Sequence, residues 1–226
     1  MIFPRKTLVA FVLVLTSGGE LVAQTSRSDP VDVQGRAGTQ LTLNLPRKWE
    51  ASVGYELRMI GDASVYRGSY YDAELRRAVL KPLTLFTNYR FAAVTDGSSH
   101  RYGAGAELDR KMEHFSLSFR SMFQYQQKLL DDDEQGSREV LRTRLRAKVP
   151  SGKRVTFHGA VEPYFAFTGI YPVDNWRNTL GVQWEFMTKR KLDVYYIYRP
   201  DYAKEFYNRT YHIFGAELSA DVKFPR

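Results

Sequence analysis

Trp49-Glu-Ala-Ser-Val-Gly-Tyr-Glu-Leu-Arg-Met59 alternates without a break. One face reads Trp49, Ala51, Val53, Tyr55, Leu57 and Met59; the other reads Glu50, Ser52, Gly54, Glu56 and Arg58. Successive side chains of an extended chain point to opposite faces, so this is a long strand with one apolar and one polar side. The same period recurs to the end of the chain. Phe115, Leu117, Phe119, Phe123 and Tyr125 alternate with His114, Ser116, Ser118, Arg120 and Gln124. Leu141, Thr143, Leu145, Ala147 and Val149 alternate with Arg142, Arg144, Arg146 and Lys148. Trp176, Leu180, Val182, Trp184 and Phe186 share one phase, and Phe214, Ala216, Leu218, Ala220, Val222 and Phe224 share another. Helical periodicity is scarce, and the fold class is all-β.

Strands are expected near 36–45, 48–60, 70–80, 83–94, 100–109, 114–126, 138–149, 154–167, 174–187, 191–199 and 209–224. Short gaps at 46–48, 81–82, 110–113, 150–153 and 188–191 interleave with longer ones at 61–69, 95–99, 127–137, 168–173 and 200–208. Short turns on one rim and long loops on the other describe a transmembrane up-and-down antiparallel β-barrel. Single-chain bacterial barrels use even strand numbers. Residues 27–35 are therefore read as a short extra strand, giving about twelve, with ten as the other even choice.

The amino terminus reads as an address. Arg5 and Lys6 precede the apolar run from Thr7 to Thr16, and Ser17-Gly-Gly-Glu-Leu-Val-Ala23 ends on a small residue. That is the pattern of a secretory signal peptide over residues 1–23, leaving 24–226 as the barrel. Its removal takes away Arg5, Lys6 and Glu20, so 31 basic and 24 acidic side chains remain of the original 33 and 25. The excess is scattered, unlike the single stripe of a nucleic-acid binder. With no Cys, the chain has no disulfide framework, thiolate metal site, thiol nucleophile or lipidated cysteine. A hydrophobic fraction of 43% argues against disorder, and 14% aromatics beside a mean hydropathy of −0.42 fits apolar residues interleaved with polar ones.

Alternation alone allows two arrangements: a secreted soluble barrel with the apolar face inside around a small ligand, or a membrane barrel with that face outside. Charged polar faces on every strand suit a watery or filled lumen. Rings near strand ends, at Trp49, Tyr70, Tyr71, Tyr164, Trp176, Tyr198, Tyr202, Tyr207 and Tyr211, suit an interfacial girdle. Both favour the outer membrane of a Gram-negative bacterium. The partners this implies are outer-membrane lipids and the barrel-insertion machinery, with the chain a monomer and no cofactor.

Leu141-Arg-Thr-Arg-Leu-Arg-Ala-Lys-Val149, Val155-Thr-Phe-His-Gly-Ala-Val-Glu-Pro-Tyr-Phe165, Asn175-Trp-Arg-Asn-Thr-Leu-Gly-Val-Gln-Trp184 and Leu192-Asp-Val-Tyr-Tyr-Ile-Tyr-Arg199 follow in order. Together they resemble an uncharacterised family of Gram-negative outer-membrane β-barrels known only as a domain of unknown function. The resemblance runs from Trp49 to Phe224. It implies location and architecture and supplies no catalytic residue. The sequence departs from the pattern twice. Pro163 lies mid-strand, where a missing N–H implies a bulge or a break in pairing. The chain ends Phe224-Pro-Arg226, beyond the aromatic that usually closes such barrels.

By phase, Arg58, Arg76, Arg90, Arg101, Arg120, Arg142, Arg144, Arg146, Lys148, Arg177, Arg199 and Arg209 point inward with Glu50, Glu56, Asp72, Glu74, Glu107, Glu162, Glu185, Asp193, Glu217 and Asp221. Near balance suggests a lumen filled by Arg–carboxylate pairs, as in a structural barrel or narrow, porin-like pore. The candidate lumen-lining set is Arg120, Arg142, Arg144, Arg146, Lys148, Arg177, Glu162 and Glu185. Four cations on one ladder, Arg142 to Lys148, suit an anion-selective path. Basic residues in the short turns and acids at 131–134 would bias anions toward one mouth.

The alternative from another class is a lipid-modifying barrel enzyme, with inward-facing His158 beside Ser116 or Ser118 and Glu162. His114 shares the inward phase; His100 and His212 share the apolar one. Asp131 to Glu134 lacks calcium-loop spacing and reads as a solvated tip. The sequon Asn208-Arg-Thr210 has no meaning in a bacterial outer membrane.

Overall fold

The computed structural model describes residues 31–130, 135–167, 173–201 and 209–223. Over these the chain forms eleven strands: β1 (Val31–Asn44), β2 (Trp49–Ile60), β3 (Val65–Ala78), β4 (Leu83–Val94), β5 (Gly97–Lys111), β6 (Ser116–Leu130), β7 (Gln135–Ser151), β8 (Val155–Ala166), β9 (Val173–Met187), β10 (Arg190–Asp201) and β11 (Arg209–Lys223). Each pairs antiparallel with the next, and β1 closes the barrel on β11 in parallel. The segments expected as a signal peptide, the 131–134 tip, Tyr202, Tyr207, Asn208 and the terminal Phe224 lie outside the described residues.

The strand number is eleven where parity favoured twelve. The stretch read as an extra strand runs straight on from Val31 into 36–44 as a single alternating strand, with Val31, Ala37 and Leu41 on its exposed face. An odd sheet closes only if its first and last strands run the same way, and backbone pairing permits that with evenly spaced, slanted bonds. Val31 and Lys223 consequently lie on opposite rims. Pairing with β2 begins at Gly35. The overhanging start of β1 is held by the 61–64 loop, whose Gly61 N donates to Asp32 Oδ1 at 2.9 Å and whose Ala63 N donates to the Val33 carbonyl at 3.0 Å.

Paired residues can be followed once round the wall. From Asn44 the path runs through Glu50, Arg76, Phe86, Gly105, Met122, Arg142, Tyr164, Asn175 and Asp201 to Arg209. It returns to β1 one residue before Val31, since Val31 pairs with Thr210. The stagger is therefore about 14 residues per circuit. With a rise of about 3.3 Å per residue and about 4.7 Å between strands, it sets a tilt of about 42° and a backbone radius of about 11 Å.

Exposure decides which face looks where. Val53 (56%), Leu145 (52%), Val194 (53%) and Phe214 (56%) stand on the outside. Ser52, Glu107, Gln124, His158 and Asn175 are buried inside the tube. The apolar face is the outer one. The inner phase still supplies a few apolar side chains (Phe86, Met122, Val140, Ile197 and Ile213), which are among the most buried of all.

The loops are shorter than the sequence suggested, because strands run on into them. β3 begins at Val65, β5 at Gly97, and β6 reaches Leu130. Only 167–172 and 202–208 separate strands by more than four residues. Pro163 breaks the ladder as expected: β7 and β8 pair at Arg142–Tyr164 and again at Leu145–Val161, with register kept and the positions between them unpaired.

Candidate functional site: an arginine-lined lumen

The tilt allows inward side chains to be sorted by height, because a level circuit drops about 1.3 residues per strand. Seven arginines then fall within about 5 Å of one height. They are Arg36 on β1, Arg58 on β2, Arg90 on β4, Arg101 on β5, Arg142 on β7, Arg177 on β9 and Arg199 on β10. Electrostatic neighbours trace the same ring. Arg36 faces Arg58, Glu56 and Arg177; Glu56 reaches Arg90; Arg101 faces Arg90, Arg142 and Asp72; Arg177 faces Arg142 and Arg199.

Three carboxylates sit in this belt. Glu56 pairs with Arg58 at 2.5 Å, Asp72 with Arg90 at 2.6 Å and Arg101 at 3.8 Å, and Glu162 with Arg142 at 2.8 Å. Seven guanidiniums against three carboxylates leave a surplus of about four positive charges. Tyrosines hold the forks in place. Arg58 lies 3.8 Å over the Tyr70 ring, Arg142 and Arg177 lie 4.6 and 4.4 Å over Tyr164, and Arg199 lies 4.0 Å over Tyr211. Stacking fixes the guanidinium plane and leaves its edge available to hydrogen bonds. Tyr70, Tyr164 and Tyr211 were expected in the outer girdle; strand phase turns them into the lumen instead.

Below the belt, toward the short-turn rim, the charges balance. Arg76 reaches Glu107 at 3.0 Å and Glu74 at 3.4 Å. Arg120 reaches Glu74 at 2.6 Å and Glu107 at 3.7 Å, with its guanidinium 3.7 Å over Phe86. Lys191 pairs with Asp221 at 3.3 Å and Arg146 with Asp193 at 3.9 Å. The ladder on β7 is thus divided. Arg142 belongs to the belt, bonded to Glu162 and to Gln124 at 3.1 Å, whereas Arg144, Arg146 and Lys148 descend into the balanced half. The overall near-neutrality legible in the sequence hides this separation with depth.

Among the described residues, like charges stand directly opposite one another at four places, one of them the acids Asp193 and Glu217 and the other three arginine pairs. Arg36 pairs in register with Arg58, Arg90 with Arg101, and Arg120 with Arg144. Directly opposed like charges destabilise a sheet; Asp72 bridges Arg90 and Arg101, whereas no carboxylate among the described residues forms ion pairs with both Arg36 and Arg58 or with both Arg120 and Arg144.

Two expected lumen positions lie at the rims. Glu185 accepts a bond from the Lys189 backbone N at 3.1 Å and serves the β9–β10 turn. Arg209 stands exposed at the opposite rim. At that rim the Arg67 guanidinium, 2.6 Å away, holds the Asp96 carboxyl below its ordinary range through a side-chain hydrogen bond. Arg36 was missed because β1 was started on it. Counting the alternation from Val31 would have placed it inward.

The residues considered for hydrolysis are not brought together. His158 Nε2 bonds Asp193 Oδ1 at 2.8 Å. Ser118 donates to Glu107 Oε1 at 2.8 Å, and Glu162 is taken by Arg142 and by Tyr164 Oη at 3.1 Å. Ser116 pairs in register with Lys148, and His114 lies exposed in the β5–β6 turn. His100 and His212 lie on the outer face, bonded to Tyr89 and Tyr196. Among the described residues no cluster of three His, Asp or Glu side chains is placed to hold a metal ion.

No family model and no curated protein matches this chain. A search of solved structures returns the NanC porin, described as "NanC porin structure in rhombohedral crystal form". The match has a TM-score of 0.51 and 11% identity, and it covers 74% of this chain and 86% of that one. At that identity the likeness concerns the fold: this chain is a porin-like closed β-barrel.

Proposed function

We propose that the chain is a monomeric outer-membrane barrel of a Gram-negative bacterium, of the family its strands resemble, exported by the signal peptide at 1–23 and inserted by the barrel-assembly machinery. It forms a narrow, anion-preferring pore. The membrane part of this reading is supported by the exposed apolar wall and by two outward bands of rings. Trp49, Phe115, Phe157 and Trp184 ring the short-turn end. Phe91, Tyr102, Tyr125, Trp176 and Tyr198 lie about 20 Å higher. An apolar belt between aromatic girdles matches a bilayer and its two interfaces. The tilt of about 42° falls within the range of membrane barrels.

The observation that carries the pore reading is the set of arginines opposed across β1–β2, β4–β5 and β6–β7. A tube meant only to be filled would place opposite charges at directly facing positions, as at Glu50–Arg76 and Glu107–Arg120. Retaining repelling pairs costs stability and raises the positive potential inside a low-dielectric wall, which attracts anions. Planar-bilayer recording of the refolded protein tests this. Discrete conductance steps are expected, with a reversal potential of anion-selective sign under a KCl gradient. Absence of steps, or cation selectivity, would overturn the reading.

A further inference from the structure

The arginine belt differs from the rest of the lumen in a way that bears on what the pore recognises. Arg36 and Arg177 come from β1 and β9 at one height, and neither forms an ion pair with a described residue. The buried Nε atoms of Arg36, Arg101, Arg142 and Arg177 have no hydrogen-bond partner among the described residues. A buried donor left unmade is costly, and four at one height form a cluster of donors lacking an acceptor.

The missing acceptor has a definable chemistry. It must be anionic, because the belt's surplus is about four positive charges. It must offer several oxygens, because the donors are planar forks set around a ring, and a guanidinium fork matches an oxyanion bidentately. It is not a stacking ligand, because Arg58 covers Tyr70, and Arg142 and Arg177 cover Tyr164. A monovalent, spherical ion such as chloride satisfies one fork at a time. An oxyanion with two or more charges bridges two forks and neutralises more of the surplus at once.

We infer that the arginine belt is a binding site for small multivalent oxyanions, with Arg36 and Arg177 as its principal free ligands. This deepens the anion-pore reading and rests on it for the site's access from solvent. Inorganic pyrophosphate is the probe. Added to single channels in KCl, it should interrupt the chloride current at concentrations at least 100-fold below those of the chloride it displaces. In R36Q/R177Q the half-blocking concentration should rise at least 10-fold. R36K/R177K keeps the charge but loses the forks, and should fall between. K153Q, in the exposed β7–β8 turn, should block like the parent. Heat-modifiable gel migration shows that each variant folds.

An anion-selective channel that pyrophosphate does not block overturns the oxyanion site and leaves the pore standing. If no channel forms, the pore reading fails, and calorimetry on the detergent-refolded protein still decides the site. Saturable pyrophosphate binding weakened at least 10-fold in R36Q/R177Q supports it. Absence of binding, or equal binding by R36Q/R177Q and parent, overturns it.

Discussion

Glu162→Gln separates a lumen that is merely filled from one that sets a potential. The carboxylate lies 2.8 Å from Arg142, accepts a bond from Tyr164, and has Arg177 and Arg144 as its next cationic neighbours. A pair of unit charges about 4 Å apart is worth about 4 kcal/mol at an effective dielectric of about 20. Breaking a buried pair by neutralising one member costs about 3–5 kcal/mol because the survivor is left uncompensated. The Glu162 and Arg142 side chains keep 13% and 15% exposure, so water returns part of that. We expect E162Q to lose about 2 kcal/mol, read from urea unfolding of protein refolded into vesicles. Arg142→Gln should lose a similar amount. Selectivity must move in opposite directions. Neutralising the acid adds one charge to the belt's surplus and should raise the anion-to-cation permeability ratio about twofold, after screening over about 8 Å. Neutralising the base should lower it by about the same factor. Stability losses with no change in reversal potential, or with both variants shifting it the same way, would refute the assignment of the potential to these charges.

Other consequences concern the wall and its closure. Leu145, 52% exposed near mid-height on the outer face, should cost about 2–4 kcal/mol when replaced by arginine in vesicles; unchanged stability would contradict its contact with lipid. Thr39 and Leu218 face each other across the parallel seam, and the chain has no cysteine. T39C/L218C should therefore form a disulfide visible on a non-reducing gel, and failure to do so would argue against closure of β1 on β11. A Cβ on Gly181 would collide with the His158 ring. G181A should lose about 1–3 kcal/mol, and part of that should return in G181A/H158A. Independent additive losses would remove the packing argument.

Much of this fold is legible in the sequence, because period two is a covalent consequence of an extended backbone. The phase assigned from Trp49 to Met59 and from Leu141 to Val149 is the phase of the structure, and so are the inward positions of Arg120, Arg142, Arg144, Arg146, Arg177 and Glu162. Strand number was distorted by a parity rule that describes most bacterial barrels, whereas hydrogen bonding itself allows a parallel closing pair. The girdle was partly misassigned because proximity to a strand end was used where phase decides: Tyr71 and Trp176 face out, but Tyr70 and Tyr164 face in. The belt itself was out of reach. Its members lie on seven strands, and they reach one height only through a stagger set by long-range pairing. A residue's neighbours in sequence say nothing of that. His158 was rightly placed inside, but its partner Asp193 lies on β10, 35 residues away.

The central claim is that the exposed wall meets lipid while the charges face a lumen. All three tryptophans, Trp49, Trp176 and Trp184, share the outward phase and together report the wall without any mutation. Fluorescence of the protein refolded into vesicles of brominated phosphatidylcholine, compared with the unbrominated lipid, measures their contact with acyl chains. The account predicts strong quenching by bromine and little by aqueous iodide. Emission quenched by iodide and indifferent to brominated lipid would contradict it.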